Sequence, residues 1–169
     1  MNCIQCPVAC GADRKNSAGV CGVKGIKIAK YYIHLFFCGC SLKCAFCQNF
    51  ELSRNLRGKE ITITELADIF KKLEDMGAEN INLVNPTHYL KDIMGAIEIY
   101  RPKIPIVYNT HGYETEDAVK LVSSFVDIWL TDLKFIDASL SSRYTARGDY
   151  AKFALPAIKL MAQKPLIMS

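Results

Sequence analysis

All eight cysteines of this 169-residue chain fall within its first 47 positions, at 3, 6, 10, 21, 38, 40, 44 and 47. A disulfide scaffold spreads its bridges over the fold, whereas clustering with gaps of two and three residues is the spacing of metal ligands. Two groups separate. Cys40-Ser41-Leu42-Lys43-Cys44-Ala45-Phe46-Cys47 is a Cx3Cx2C loop, which gathers three thiolates at little cost in chain entropy. Three ligands are one short of a closed tetrahedral set, so one metal position stays open to substrate. The alternative is a zinc site completed by Cys38 or His34; otherwise Cys38 is a small packed residue and His34 a core or capping residue. Cys3-x2-Cys6-x3-Cys10-x10-Cys21 is a complete four-ligand set, suited to a structural zinc or a second iron–sulfur cluster, and ligand type does not choose between them. Free thiols in such a loop would invite oxidation.

The remainder reads as an ordinary globular protein. Half of the residues are apolar and 22% charged, which argues against disorder. Twenty-one basic against 17 acidic residues give a formal charge of +4, too weak and scattered for a nucleic-acid surface. No apolar run has the length of a membrane span, and Met1-Asn2-Cys3 does not open a signal peptide, so a cytoplasmic location is expected. Residues 1–25 are expected to be a Cys-rich metal-binding segment and residues 26–169 an α/β unit.

From position 61 onward, helical and strand patterns alternate. Leu66, Ala67, Phe70 and Leu73 recur at helical spacing, which predicts a helix over about 64–76, capped by Thr62 or Thr64 and stopped by Gly77. Short apolar runs at 81–84, 104–108 and 127–132 read as buried strands whose starts stand 23 residues apart. Helices through Leu90–Tyr100 and Thr115–Phe125 lie between them, and helical segments near 139–146 and 150–163 follow. With the apolar stretch 26–37 before the cysteine loop as a first strand, this is the rhythm of about four βα units in a curved, partly barrel-like parallel sheet. Ligands in such folds sit beyond the carboxyl ends of the strands. The cysteine loop, Asn85-Pro86-Thr87-His88, Asn109-Thr110-His111 and Asp132-x-Lys134 should therefore share one rim. His88 and His111 are each either a substrate contact or a satisfied structural histidine.

The loop with its aromatic Phe46, in the run Phe36-Phe37-Cys38-Gly39-Cys40-Ser41-Leu42-Lys43-Cys44-Ala45-Phe46-Cys47-Gln48-Asn49, resembles the signature of the radical S-adenosylmethionine (radical SAM) superfamily. More narrowly, it resembles pyruvate formate-lyase activating enzyme-like proteins. Asn80-Ile81-Asn82-Leu83-Val84-Asn85-Pro86-Thr87-His88-Tyr89, Val107-Tyr108-Asn109-Thr110 and Asp127-Ile128-Trp129-Leu130-Thr131-Asp132-Leu133-Lys134 are similar to further blocks of one poorly characterised branch, which shares the amino-terminal cysteines.

The resemblance runs from about Cys3 to Gln163. It implies a [4Fe-4S] cluster on Cys40, Cys44 and Cys47, S-adenosylmethionine chelated at the open iron, and reductive cleavage to a 5′-deoxyadenosyl radical that abstracts hydrogen. It further implies an electron donor such as flavodoxin or ferredoxin, and a glycyl-radical protein as substrate. The alternative is a truncated, non-catalytic iron–sulfur protein or electron carrier. Asp132 and Lys134 match a pair that contacts the methionine part of the cofactor, and Asn109 and Thr110 match oxygen ligands near its carboxylate. Lys43 either balances the anionic cluster or is a solvated loop lysine.

Where relatives carry Gly-Gly-Glu after the second strand, this chain has Asn85-Pro86-Thr87-His88. The cofactor's amino group is then expected to meet backbone carbonyls near Asn85, Thr87 or Asp132. The superfamily core has six strands against about four units here, so the fourth strand is expected as an open edge that a second copy or a partner chain completes.

Overall fold

The apolar stretch 26–37 makes two strands rather than one. In the computed structural model, which describes residues 3–13, 16–31 and 34–163, Ile26–Tyr31 (β1) and His34–Phe37 (β2) pair antiparallel. A continuous apolar run carries no period that distinguishes one long strand from a hairpin. Short elements that the sequence pattern does not announce follow the cysteine loop: helix Phe50–Ser53 (α1) and strand Lys59–Ile61 (β3), which pairs antiparallel with β1.

The alternating region then follows its predicted order. Helix Ile63–Asp75 (α2) opens with a reciprocal cap: the Thr62 hydroxyl accepts the Glu65 N–H at 3.1 Å, and the Glu65 carboxylate accepts the Thr62 N–H at 2.8 Å. Its apolar face buries Leu66, Phe70 and Leu73, each worth roughly 1.5–3 kcal/mol of transfer from water. Gly77, at φ +79°, ends it. Strand Ile81–Val84 (β4), a 3-10 turn Thr87–Tyr89, helix Leu90–Ile99 (α3), strand Ile106–Thr110 (β5), helix Glu116–Val122 (α4), strand Ile128–Thr131 (β6) and helices Ala138–Thr145 (α5) and Tyr150–Met161 (α6) complete the order.

The sheet runs β3-β1-β2-β4-β5-β6, with β2, β4, β5 and β6 parallel. These four strands and their crossovers are the expected partial β/α barrel, open at both sides, and the β1–β3 pair makes the sheet mixed. The expected strand at Ile104 begins two residues later. Pro105 has no N–H for a ladder and contributes only its carbonyl, which accepts from Ile81 N–H at 2.9 Å. Asn109 and Thr110 consequently end β5 rather than follow it. Asp132, expected as the last residue of the strand, lies with Lys134 just past β6.

One core cluster joins the two faces. Leu35, Leu83 and Tyr108 come from the sheet and Phe70 and Ile93 from the helices, and Cys21 and Val23 of the amino-terminal segment pack with them. Along the edge strand β6, Trp129 turns in against Tyr108 with ring centres 5.3 Å apart, while Leu130 is 52% exposed. Among the described residues no helix is long and apolar enough to cross a membrane.

Candidate metal and cofactor site

The cysteine loop leaves β2 under tight backbone control. Cys38 N–H bonds the Lys27 carbonyl at 2.8 Å, Gly39 N–H bonds Leu52 at 3.0 Å, and Cys40 N–H bonds Cys21 at 3.3 Å. The Cys38 carbonyl accepts from His88 Nε2 at 2.7 Å and from the Tyr89 hydroxyl at 3.0 Å, and the Gly39 carbonyl accepts from Asn85 Nδ2 at 2.6 Å. Gly39 stands at φ +86°, where a Cβ would meet the Cys21 carbonyl at 2.7 Å. Gly39→Ala is therefore expected to destabilise the fold by about 2 kcal/mol or more, measured by urea unfolding against wild type.

Beyond this anchor, Cys40, Cys44 and Cys47 line a cavity of about 390 Å³ at the carboxyl ends of the parallel strands. Cys40 Sγ faces Asn85 Oδ1 at 3.8 Å and Cys47 Sγ meets Ser53 Oγ at 3.3 Å. Burial, with the nearby Cys44 and Cys47 sulfurs adding to it, pushes the Cys40 thiol up to about 12. At Cys44, burial also raises the pKa, while Lys134 and Arg54 pull it down. Three sulfurs that feel one another's charge, with cations beside them, suit a shared positive centre whose binding displaces their protons. Lys43 turns back to the Cys40 carbonyl at 3.4 Å.

The rest of the lining includes polar residues. Asn85, Asn109, Thr110, Asp132 and Lys134 line the same cavity. Asn85 adopts a left-handed backbone, φ +57°, which asparagine tolerates better than most residues, and its N–H bonds the Asn109 carbonyl at 2.8 Å. Lys134 Nζ lies 2.8 Å from Asp132 Oδ2, with the lysine side chain 21% exposed and the aspartate 66%. Tyr150 of α6 ties this rim together. Its hydroxyl accepts Lys134 N–H at 3.0 Å and donates toward the carbonyls of His111 (2.7 Å) and Asp132 (3.0 Å). Removing a hydroxyl that satisfies buried backbone groups costs about 1–3 kcal/mol.

The radical SAM superfamily model matches residues 35–166, more than half of the chain. The chain belongs to the radical SAM superfamily. An uncharacterized protein of Methanocaldococcus jannaschii is 31% identical over 170 residues, covering 88% of this chain and 50% of the relative. The chain thus spans about half the length of that relative. No solved structure matches.

Radical SAM membership implies a [4Fe-4S] cluster and S-adenosylmethionine, and the donor set fits both. Three cysteines share one cavity, no fourth cysteine lines it, and a lysine and an aspartate line it with them. Cys38 is no candidate for a fourth ligand: it is fully buried, with its thiol directed at the Arg57 carbonyl at 3.6 Å. His34, expected in the core or as a cap, is exposed at the start of β2.

Several polar residues go elsewhere. Thr87 is buried and donates to Glu114 Oε1 at 2.6 Å, away from the cavity lining. His88 braces the Cys38 carbonyl, a structural use. His111 does line the cavity: its Nδ1 accepts Tyr113 N–H at 3.1 Å, so Nε2 carries the proton and faces Ser41 Oγ at 3.4 Å. Burial, aided by Lys134 and His88, lowers its pKa to about 3 and keeps the ring neutral.

Glu114 and Tyr150 are the residues that sequence reasoning passes over. Glu114 is fully buried, and its Oε1 also accepts from Thr110 Oγ1 at 2.6 Å and more distantly from the Tyr108 hydroxyl at 3.4 Å. Glu114 comes from the β5–α4 loop and does not line the cavity. Of the amino-terminal set, Cys3, Cys6 and Cys21 are buried and Cys10 is partly exposed. Burial raises Cys6 to about 11, with Cys21 and Cys3 adding to it. At Cys10 the effect of burial is outweighed by the N–H groups of Ala12 and Val20, and its pKa falls.

Proposed function

We propose that Cys40, Cys44 and Cys47 hold a [4Fe-4S] cluster in this cavity and that the chain reductively cleaves S-adenosylmethionine there for hydrogen abstraction. The observation that carries this reading is that three thiols and the Lys134–Asp132 pair line one cavity. When bound, cluster and cofactor supply one-electron cleavage of a sulfonium carbon–sulfur bond. The chain's own residues bind and orient. Lys134, drawn inward, pairs with a carboxylate, and Asp132 takes an ammonium group. Asn109 and Thr110 present oxygens beside them, and Asn85 fixes the Cys40 end of the loop while lining the same cavity. Leu42 and Phe46 give the cavity apolar lining that limits water.

The fuller reading follows the family branch: a glycyl-radical protein as substrate, and flavodoxin or ferredoxin as electron donor. It also places a zinc ion or a second cluster on Cys3, Cys6, Cys10 and Cys21. Eight thiols, none of them in a disulfide, fit a reducing cytoplasm. β6 remains available to a second copy or a partner chain.

Anaerobic reconstitution with iron and sulfide, followed by reductant and S-adenosylmethionine, should yield 5′-deoxyadenosine and methionine. A brown, cluster-loaded protein yielding neither would replace the enzyme with an iron–sulfur carrier. Tyr150→Phe should raise the apparent KM for S-adenosylmethionine by roughly tenfold, since about 1.4 kcal/mol is a tenfold change. Cluster absorbance should stay at the wild-type level, because Tyr150 holds the Lys134 side of the cavity and not the sulfurs.

A further inference from the structure

The amino-terminal cysteines lie outside the matched family region, which begins at residue 35. Yet three of the four thiols are removed from water, at 7% exposure for Cys3 and 6% for Cys6 and Cys21. The backbone around them is built to return on itself. Cys3 N–H bonds the Ala12 carbonyl at 3.0 Å and Gly11 N–H bonds the Cys3 carbonyl at 2.9 Å, while Ala9 N–H bonds Cys6 at 2.9 Å and Gly22 N–H bonds Gly19 at 2.8 Å. At Gly19 a Cβ would lie 3.3 Å from both the Cys10 and the Cys21 sulfur. A bare glycine therefore lets two thiols eleven positions apart approach the same spot. None of the four is in a disulfide.

We infer that Cys3, Cys6, Cys10 and Cys21 form a closed four-thiolate site for a thiophilic metal, and that this site braces the Cys40–Cys47 loop through Cys21. Four protein ligands leave no open position, which makes the site structural rather than catalytic. A segment this short has little core of its own, and a metal is the usual staple for one. Among the described residues no three donors stand at the spacing of one bound ion, and this is equally true of the Cys40, Cys44 and Cys47 loop; a metal would draw the sulfurs in. The link between the two groups is direct. The Cys21 carbonyl accepts Cys40 N–H, Gly39 is a glycine because that carbonyl presses on it, and Val23 packs against the same residue. Fixing Cys21 on a metal fixes the peptide from which the first cluster ligand projects.

The brace rests on the radical SAM reading; the metal site does not. The full chain carrying Cys40→Ala, Cys44→Ala and Cys47→Ala together, purified anaerobically, isolates the metal site. It should retain about one zinc ion or one iron–sulfur cluster, the two told apart by metal analysis and visible absorbance. A metal-free protein overturns the site. In the otherwise intact chain, Cys10→Ser should release that metal and speed loss of the loop's cluster to a chelator several-fold. Cys10→His, which restores a donor, should recover both. Cluster retention unchanged after the amino-terminal metal has gone overturns the brace. A wild-type loop that takes up no cluster, beside a triple variant that keeps its metal, would sink the radical SAM reading and leave the four-thiolate site standing.

Discussion

Cys44→Ala is expected to abolish both the cluster and S-adenosylmethionine cleavage. Loss of an outer-shell partner costs about 10–100-fold in metal affinity, and loss of one of only three direct ligands exceeds that range. Iron content and visible absorbance after anaerobic reconstitution read the first loss, and 5′-deoxyadenosine yield reads the second. Cys38→Ala is the matched control. That thiol is fully buried, points to the Arg57 carbonyl and does not line the cavity. Its removal should cost stability by about 1 kcal/mol, as for a small deletion in the core, with cluster absorbance retained. Equal loss of iron in both variants would refute the ligand assignment.

Glu114 makes the stability of the fold fall as pH rises. Burial lifts its pKa from 4.5 to about 7, so the folded protein keeps a proton that the unfolded chain has already released. Its contribution is full below about pH 4.5 and is lost as pH climbs through about 7, a swing of roughly 2–3 kcal/mol between pH 5 and 8. Glu114→Gln keeps an oxygen for the Thr87 and Thr110 hydroxyls and cannot titrate. Urea unfolding at the two pH values should show wild type losing that much more than the Gln variant, and parallel losses would disprove the assignment. Glu114→Ala strands two buried hydroxyls and should cost about 2–4 kcal/mol at any pH. Because Thr110 also lines the cavity, the same change should weaken S-adenosylmethionine binding.

What was legible in the sequence is what depends on chain order. The Cx3Cx2C loop is local, and the recurrence of strand starts forces Asn85, Asn109 and Asp132 to the same end of a parallel sheet whatever the packing details. Glu114 was not legible, because Thr115-Glu116-Asp117 beside it reads as the acidic first turn of α4; only the approach of Thr87, 27 positions earlier, sets Glu114 apart. Tyr150 reads as one more apolar helix residue until its hydroxyl is seen spanning two strand ends. The split of 26–37 into β1 and β2 was hidden for a different reason: an apolar run satisfies a long strand and a buried hairpin equally well. Thr87 stands at the expected position after β4, but its side chain turns to a buried carboxylate, a contact that chain order does not reveal.

The uncovered rim of β6 has a practical consequence for anyone purifying the protein. Among the described residues no strand pairs with its outer side, and Ile128 and Leu130 on it and Leu133 and Ile136 just past it are all more than a third exposed. Such a border is a template for any strand that drifts past, and it carries no proline and a single charge, Asp132, before Lys134 to discourage one. Association at high concentration is therefore expected, and Leu130→Lys should raise the concentration at which the protein stays monodisperse.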